Sequence, residues 1–400
     1  MSNWFLQYFK KIGNKNFLFL LAYTLISGGI YFYILFFNVP SDIKTHIQIL
    51  LRFLDLESFP TPPLYYALVY GLHFLMPYKE GYAMAALYVL TASGFLKFLL
   101  SLVYLHKFTP NTGRALTGLS VFCLMFFFPL SFLQLDAGYW YLGKFTPTIW
   151  HNSTSLLVFP FCILLFQSSL SYLEAPKTTQ LFTLFFIGLT IILIKSSFIF
   201  PYMPAFPLMV YFKEKKLSKV FQFASYLSLI FLMIILAEKI IIYDQGLLDK
   251  IFSGPRVSGI ALKPFGIWLS WTDKPIRDLF LSFIFPLAFI SLYFKTLRND
   301  THFIFASLLV LFAMFIFLLF VETGPRHLDG NFYWQIIFTL YIWYLVILKN
   351  LINNMYPGDL SIKKIQELHV REKLMIVLFL IHIFSGFAYL TRILILQDFL

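Results

Sequence analysis

Charge is what this chain has least of. Only 12% of its 400 residues are Asp, Glu, Lys or Arg, roughly half the fraction of about 25% that a soluble domain carries. An ordinary water-soluble globular protein is therefore excluded, because most of the surface must face something other than water. Cysteine is scarcer still. Cys123 and Cys162 are the only two, both inside apolar runs, so a disulfide framework is excluded and both read as small hydrophobes. Equally missing are a Walker loop, a dinucleotide fingerprint, zinc-ligand spacing and a hydrolase nucleophile elbow. No nucleotide cofactor is expected. Internal repeats, low-complexity tracts and linkers are absent too, so residues 1–400 read as a single integral membrane domain.

What is present is apolar and aromatic: 59% of residues are hydrophobic and 20% are Phe, Trp or Tyr. Apolar stretches recur near 16–38, 82–105, 115–134, 153–173, 180–194, 197–212, 219–243, 279–294, 301–321, 333–348 and 374–392. Each approaches the roughly 20 residues that cross a bilayer as a helix. The fold class is all-α, a polytopic transmembrane bundle of about 11 spans. The pair at 180–212 reads as broken or tilted helices around Lys195-Ser196-Ser197. At the start, Lys10, Lys11 and Lys15 precede an apolar run from Phe17 to Phe37, too long for a signal-peptide core, which reads as a retained signal anchor.

Orientation follows from Lys and Arg. With the N-terminus cytoplasmic, 17 of the 31 basic residues lie inside and 11 outside, while Lys97, Lys195 and Lys239 fall within spans. Counting Pro63–Met76 as a span would leave 12 inside and 16 outside. That segment is therefore expected to be a helix lying on the outer surface. The net charge of +12 is explained by topology and does not call for a nucleic-acid partner. The outer loops are then 39–81, 134–152, 243–278 and 322–332.

The first outer loop opens on an amphipathic helix, with Ile43, Ile47, Leu50, Leu51 and Leu54 as its apolar stripe. Asp42 and His46 lie four residues apart and share a face. Such a pair can supply a general base for a hydroxyl or ligands for a divalent cation such as Mg or Mn, and Asp42 equally suits a helix cap. The segment continues Phe59-Pro60-Thr61-Pro62-Pro63-Leu64-Tyr65-Tyr66. An acid just beyond the first span, a surface helix and a Pro-Pro-Leu-Tyr-Tyr run resemble the GT-C superfamily of membrane glycosyltransferases over about the first 110 residues. The resemblance implies a polyprenyl-phosphate sugar donor used at the outer face, Asp42 as the catalytic carboxylate, and 43–56 and 63–76 as two surface helices.

Further candidates sit in the later loops. Trp140, Lys144, His151 and Asn152 offer rings and donors suited to sugar, although aromatics also belt membrane interfaces. Trp268 and Trp271 carry the same two readings. In the polar turn 322–332, Arg326 can grip a phosphate with its fork and His327 can add a donor. Glu322, Asp329 and Asn331 are placed to meet an acceptor sugar, and a local Glu–Arg pair is the plainer alternative. Lys195 is either a phosphate contact or a snorkelling side chain. The expectation is a glycosyltransferase acting between a polyprenyl-phosphate-linked sugar and a glycan or lipid acceptor in cell-envelope polysaccharide synthesis. A transporter, flippase or polymerase of lipid-linked saccharides is the rival. Phe-, Ile- and Lys-rich usage points to an AT-rich bacterial genome, hence the inner (plasma) membrane.

Overall fold

The computed structural model describes residues 2–37, 39–76, 78, 80–110, 113–131, 141–240, 259–324, 327–355 and 368–397. It is an all-α bundle in which eight helices are long and apolar enough to cross a membrane. Those eight are α1 (Ser2–Phe36), α4 (Gly81–Phe108), α6 (Ser153–Glu174), α9 (Lys219–Lys239), α11 (Pro275–Leu297), α12 (Thr301–Leu319), α13 (Trp334–Met355) and α14 (Val370–Leu396). Shorter helices fill the gaps: α2 (Asp42–Asp55), α3 (Leu64–His73), α5 (Arg114–Leu124), α7 (Thr178–Ile194), α8 (Ile199–Glu214) and α10 (Trp268–Trp271). Two three-residue strands, β1 (Ile260–Leu262) and β2 (Phe320–Glu322), pair antiparallel with Ile260 opposite Glu322.

Helix α13 is the axis of the molecule. Every residue in its membrane-spanning window is buried, which explains why it reads as apolar on all sides. The peripheral helices instead keep apolar side chains outward, among them Leu25, Phe186, Met233, Leu311 and Phe384. In lipid those side chains have no reason to hide. Lys97, midway along α4, is buried with Nζ 3.7 Å from the centre of the Phe159 ring and 4.1 Å from that of Tyr341. The cation thus joins α4, α6 and α13 through ring faces.

Helix α3 is only 10 residues, about 15 Å long against a hydrocarbon core of about 30 Å. By length alone it cannot span that core, and the segment expected at 63–76 is helical over Leu64–His73. In α2 the buried face is Ile43, Leu50 and Phe53. Leu51, expected in the stripe, is exposed, and Phe53 takes its place.

Two expectations are corrected. The stretch 115–134 is helical only as far as Leu124; from Phe126 the chain leaves the helix. Pro129 disfavours helical backbone in the residue before it, and α14 takes over the freed backbone groups. Phe128 N–H donates to His382 O (3.3 Å), His382 Nδ1–H donates to Phe128 O (2.7 Å), and Ser385 Oγ–H donates to Pro129 O (2.6 Å). The second correction concerns 134–152, read as an outer loop. Its described part, 141–152, is irregular backbone sunk into the protein, with Lys144 1% and Thr146 0% exposed.

Irregular backbone survives at such depth only when protein satisfies it. Here Trp268 Nε1–H donates to Gly143 O (2.8 Å), Tyr333 O–H to Lys144 O (2.6 Å), and Phe145 N–H to Ser282 Oγ (3.0 Å). Lys144 itself reaches Ser131 Oγ at 3.0 Å. The buried segment ends at Asn152, the N-cap of α6, and this is what carries polar chemistry into the bundle.

A separate polar knot ties the opposite end of the bundle. Asp300 caps α12 by accepting from His302 N–H (2.9 Å), and its other oxygen accepts from Lys349 Nζ and Asn350 Nδ2, both at 2.6 Å. Tyr104 of α4 joins through His302 Nδ1 at 2.8 Å.

Candidate functional site

Four segments far apart in sequence converge where α1 ends and α6 begins. Helix α2 contributes Asp42 and His46, α3 contributes Tyr66, the start of α6 contributes Asn152 and Thr154, and the α7–α8 junction contributes Lys195. Ser41, in extended conformation, is the N-cap residue of α2, and Asp42 is the first helical residue. The carboxylate of Asp42 is therefore not spent on capping. Its Oδ2 accepts from Asn152 Nδ2 at 2.8 Å, and Oδ1 makes no hydrogen bond among the described residues.

Asn152 is fixed by a second duty. Its Oδ1 accepts from Ser155 N–H (3.0 Å) and from Thr154 Oγ1 (3.1 Å), so the amide can only present its NH2 group to Asp42. The same side chain caps a helix of 22 residues, placing Asp42 beside the positive end of the α6 dipole.

Lys195 sits at a break between helices. Helix α7 has 17 residues, about 25 Å, so it ends short of a full crossing. The chain then passes through Lys195 in extended conformation into one turn of 3-10 helix, Ser196–Phe198. Lys195 Nζ lies 3.5 Å from Thr154 Oγ1 and 4.5 Å from the ring centre of Trp334. A cation against an indole face beside a helix N-terminus makes this side of the cluster electropositive.

Two histidines complete the cluster. His46 Nδ1 is hydrogen-bonded to Tyr66 OH at 2.7 Å, and Tyr65 packs edge-on against both rings. His151 lies 5.0 Å from Tyr141 and 6.2 Å from Trp334, centre to centre. Burial pushes His46 down from 6.5 to about 4, with Lys195 adding to the effect and Asp42 opposing it. His151 is pushed to about 4 by burial, with Asp42 opposing and Lys195 assisting. Both rings are neutral at pH 7 and serve as hydrogen-bonding groups.

The shift has a consequence for stability. A folded-state value below the unfolded 6.5 means that the unfolded chain binds protons first as pH falls. Stability is full above pH 6.5 and declines between there and about pH 4. Thermal unfolding in detergent across that range is expected to show a falling midpoint. Replacing His46 and His151 together by Gln should make the fall shallower without abolishing it, and an equally steep fall in that variant would disprove the assignment.

The structure brings together Asp42, His46, His151, Asn152 and Lys195. It places the other candidates elsewhere. Trp268 and Trp271 are buried, Trp271 stacked on Phe317 at 6.0 Å and edge-on to Tyr333 at 5.6 Å. Lys144 is held in the interior by Ser131. On the polar turn, Asn331 Nδ2 donates to Glu322 Oε2 at 2.5 Å, while His327 and Asp329 are exposed. Trp140 and Arg326 lie outside the described residues. The turn reaches the cluster through Trp334, two residues beyond its end.

Tyr66, Tyr141, Thr154 and Trp334 are the site residues that sequence reasoning did not select. Only Tyr66 and Thr154 carried a signal, the first as the last residue of the Pro-Pro-Leu-Tyr-Tyr run and the second as a neighbour of Asn152. As for a divalent cation, no group of three His, Cys, Asp or Glu gathers among the described residues. With His46 Nδ1 engaged by Tyr66 and Asp42 Oδ2 by Asn152, a cation here would need most of its oxygen ligands from substrate phosphate and water. No protein-family model, curated protein or solved structure matches this chain.

Proposed function

We propose that this protein is a membrane glycosyltransferase of GT-C type, transferring a sugar from a polyprenyl-phosphate donor to a glycan or lipid-linked acceptor at the outer face of the membrane. The observation that carries the reading is Asp42: a carboxylate with one oxygen held by Asn152, the N-cap of α6, and the other unengaged, beside the same helix N-terminus where Lys195 reaches Thr154. A transfer reaction needs those two signs of charge on either side of one carbon.

In the proposed step the acceptor hydroxyl oxygen attacks the anomeric carbon. Its proton passes to Asp42 as the new C–O bond forms, and the bond from that carbon to the phosphate oxygen breaks. The departing polyprenyl phosphate carries away the bonding pair, and Lys195 with the α6 N-terminus stabilises its charge. Arg326 and His327 are proposed to meet the same phosphate from the polar turn. A single displacement inverts the anomeric configuration. The topology that goes with this reading has about 11 crossings, the three beyond the eight long helices being completed by α5, α7 and α8 together with the non-helical backbone beside them, and the N-terminus cytoplasmic.

Orientation is tested separately. With Cys123 and Cys162 replaced by Ala, Ser41→Cys is expected to react with an impermeant maleimide from outside and Ser218→Cys only after permeabilisation. Labelling of both from one side would overturn the placement of the site. Activity is tested by incubating purified protein with polyprenyl-phosphate sugars and following inverted product. Donor that binds and crosses the bilayer unchanged would point instead to a flippase.

A further inference from the structure

At the end of the bundle away from Asp42, helices α11 and α12 diverge and leave a groove of about 350 Å³ open to the side. Its wall on α11 runs from Ile290 to Arg298 and its wall on α12 from Phe303 to Leu311. Eight residues of rise on each side make a trough about 12 Å long, close to the depth of one leaflet, about 15 Å. All but two of the lining side chains are hydrocarbon or aromatic. Those two, Arg298 and Ser307, differ in height along the trough. Arg298 lies at its mouth, at the C-cap of α11, and Ser307 lies further in.

The charge at the mouth is uncompensated. Arg298 is exposed and makes no ion pair among the described residues, and Lys295, in the same last turn of α11, is exposed as well. The nearest acid in sequence, Asp300, is fully engaged by Lys349, Asn350 and the His302 N–H. Further in, Ser307 Oγ accepts from Trp343 Nε1 at 3.0 Å, which leaves its own proton for another acceptor. A guanidinium at headgroup height, a hydroxyl one leaflet-fraction deeper and an apolar trough below match one ligand chemistry: phosphate, ester carbonyl and acyl chain.

We propose that this groove is a binding site for an anionic phospholipid of the leaflet at that end of the bundle. The acyl chain lies along Phe294, Leu297, Ile304 and Leu308, and Arg298 grips the phosphate with its fork. The site is independent of the Asp42 cluster and of the transferase reading.

The test is native mass spectrometry of the full-length protein released from micelles containing phosphatidylglycerol and phosphatidylcholine in equal amounts. Wild type is expected to retain phosphatidylglycerol in preference. Arg298→Gln should lower that retention about tenfold, the worth of one charge-assisted contact, while Leu308→Trp should lower retention of both lipids by filling the trough. Gel filtration shows whether each variant is folded, and Lys216→Gln, which is not among the residues lining the groove, serves as a charge control. Equal retention of the two lipids by wild type, or an Arg298→Gln protein indistinguishable from Lys216→Gln, overturns the proposal. So does a wild-type mass of two chains that Leu308→Trp converts to one, since a second copy would then be the occupant.

Discussion

Purified Asp42→Asn protein is expected to transfer sugar about 10²–10⁴-fold more slowly than the parent, the usual cost of losing a general base. The substitution is chosen to change little else. An asparagine carbonyl can still accept from Asn152 Nδ2, so the contact between α2 and α6 survives. The lost acid in the first turn of α2 costs about 0.3–1 kcal/mol through the helix dipole, too little to unfold a bundle of this size. Ser41 remains the N-cap residue. Donor affinity should be unchanged, because Lys195 and the α6 N-terminus are untouched. Transfer at the parental rate by a folded Asp42→Asn protein would refute the catalytic assignment, whereas donor binding without transfer would leave a transporter with no explanation for the acid.

The second large effect concerns a glycine. A Cβ built on Gly386 would lie 1.6 Å from the carbonyl oxygen of Phe126 and 2.8 Å from its carbonyl carbon. Backbone cannot rotate away as a side chain can, so Gly386→Ala must part α14 from the segment after α5. That displacement pulls on the bonds of His382 and Ser385 to Phe128 and Pro129. It also separates the stacked rings of Phe126 and Phe387, now 4.8 Å apart. Overpacking typically costs about 1–3 kcal/mol, and each backbone group left unsatisfied in an apolar setting adds about as much again. Gly386→Ala is expected to yield little monodisperse protein. Gly71→Ala, where nothing lies within 4 Å of the added carbon, should be neutral or slightly stabilising. Comparable recovery and melting of the two variants would show that the close approach is not required.

The parts of this fold that were legible in the sequence are those set by composition over a whole helix. Eight long spans, the break at Lys195 and the short α3 all follow from apolar run length, charge placement and Pro. What could not be read was the course of 126–131 and 141–152, where the described backbone stays inside the protein without being helical. Its residues, Thr146, Thr148 and Lys144 among them, are those of an exposed loop. They are tolerated inside because Tyr333, Trp268 and Ser282, more than 120 positions away, answer their backbone. For the site, Asp42 and His46 were visible as an i, i+4 pair. The bond between Asp42 and Asn152, 110 positions apart, was not, and with Ser41 taking the N-cap position it distinguishes a held carboxylate from a helix cap.

The partnership between α14 and the segment after α5 bears on how the protein is made. Pro129 and Ser385 are 256 residues apart, and a ribosome adding about 5–20 residues per second needs roughly 10–50 s to cover that distance. Throughout that interval the nascent chain holds a half-length helix and a polar segment whose partners have not yet been synthesised. Assembly in the bilayer therefore cannot proceed strictly from first helix to last. The polar groups after α5 wait, hydrated or shielded by the insertion machinery, until α14 arrives to pair with Phe128 and Pro129.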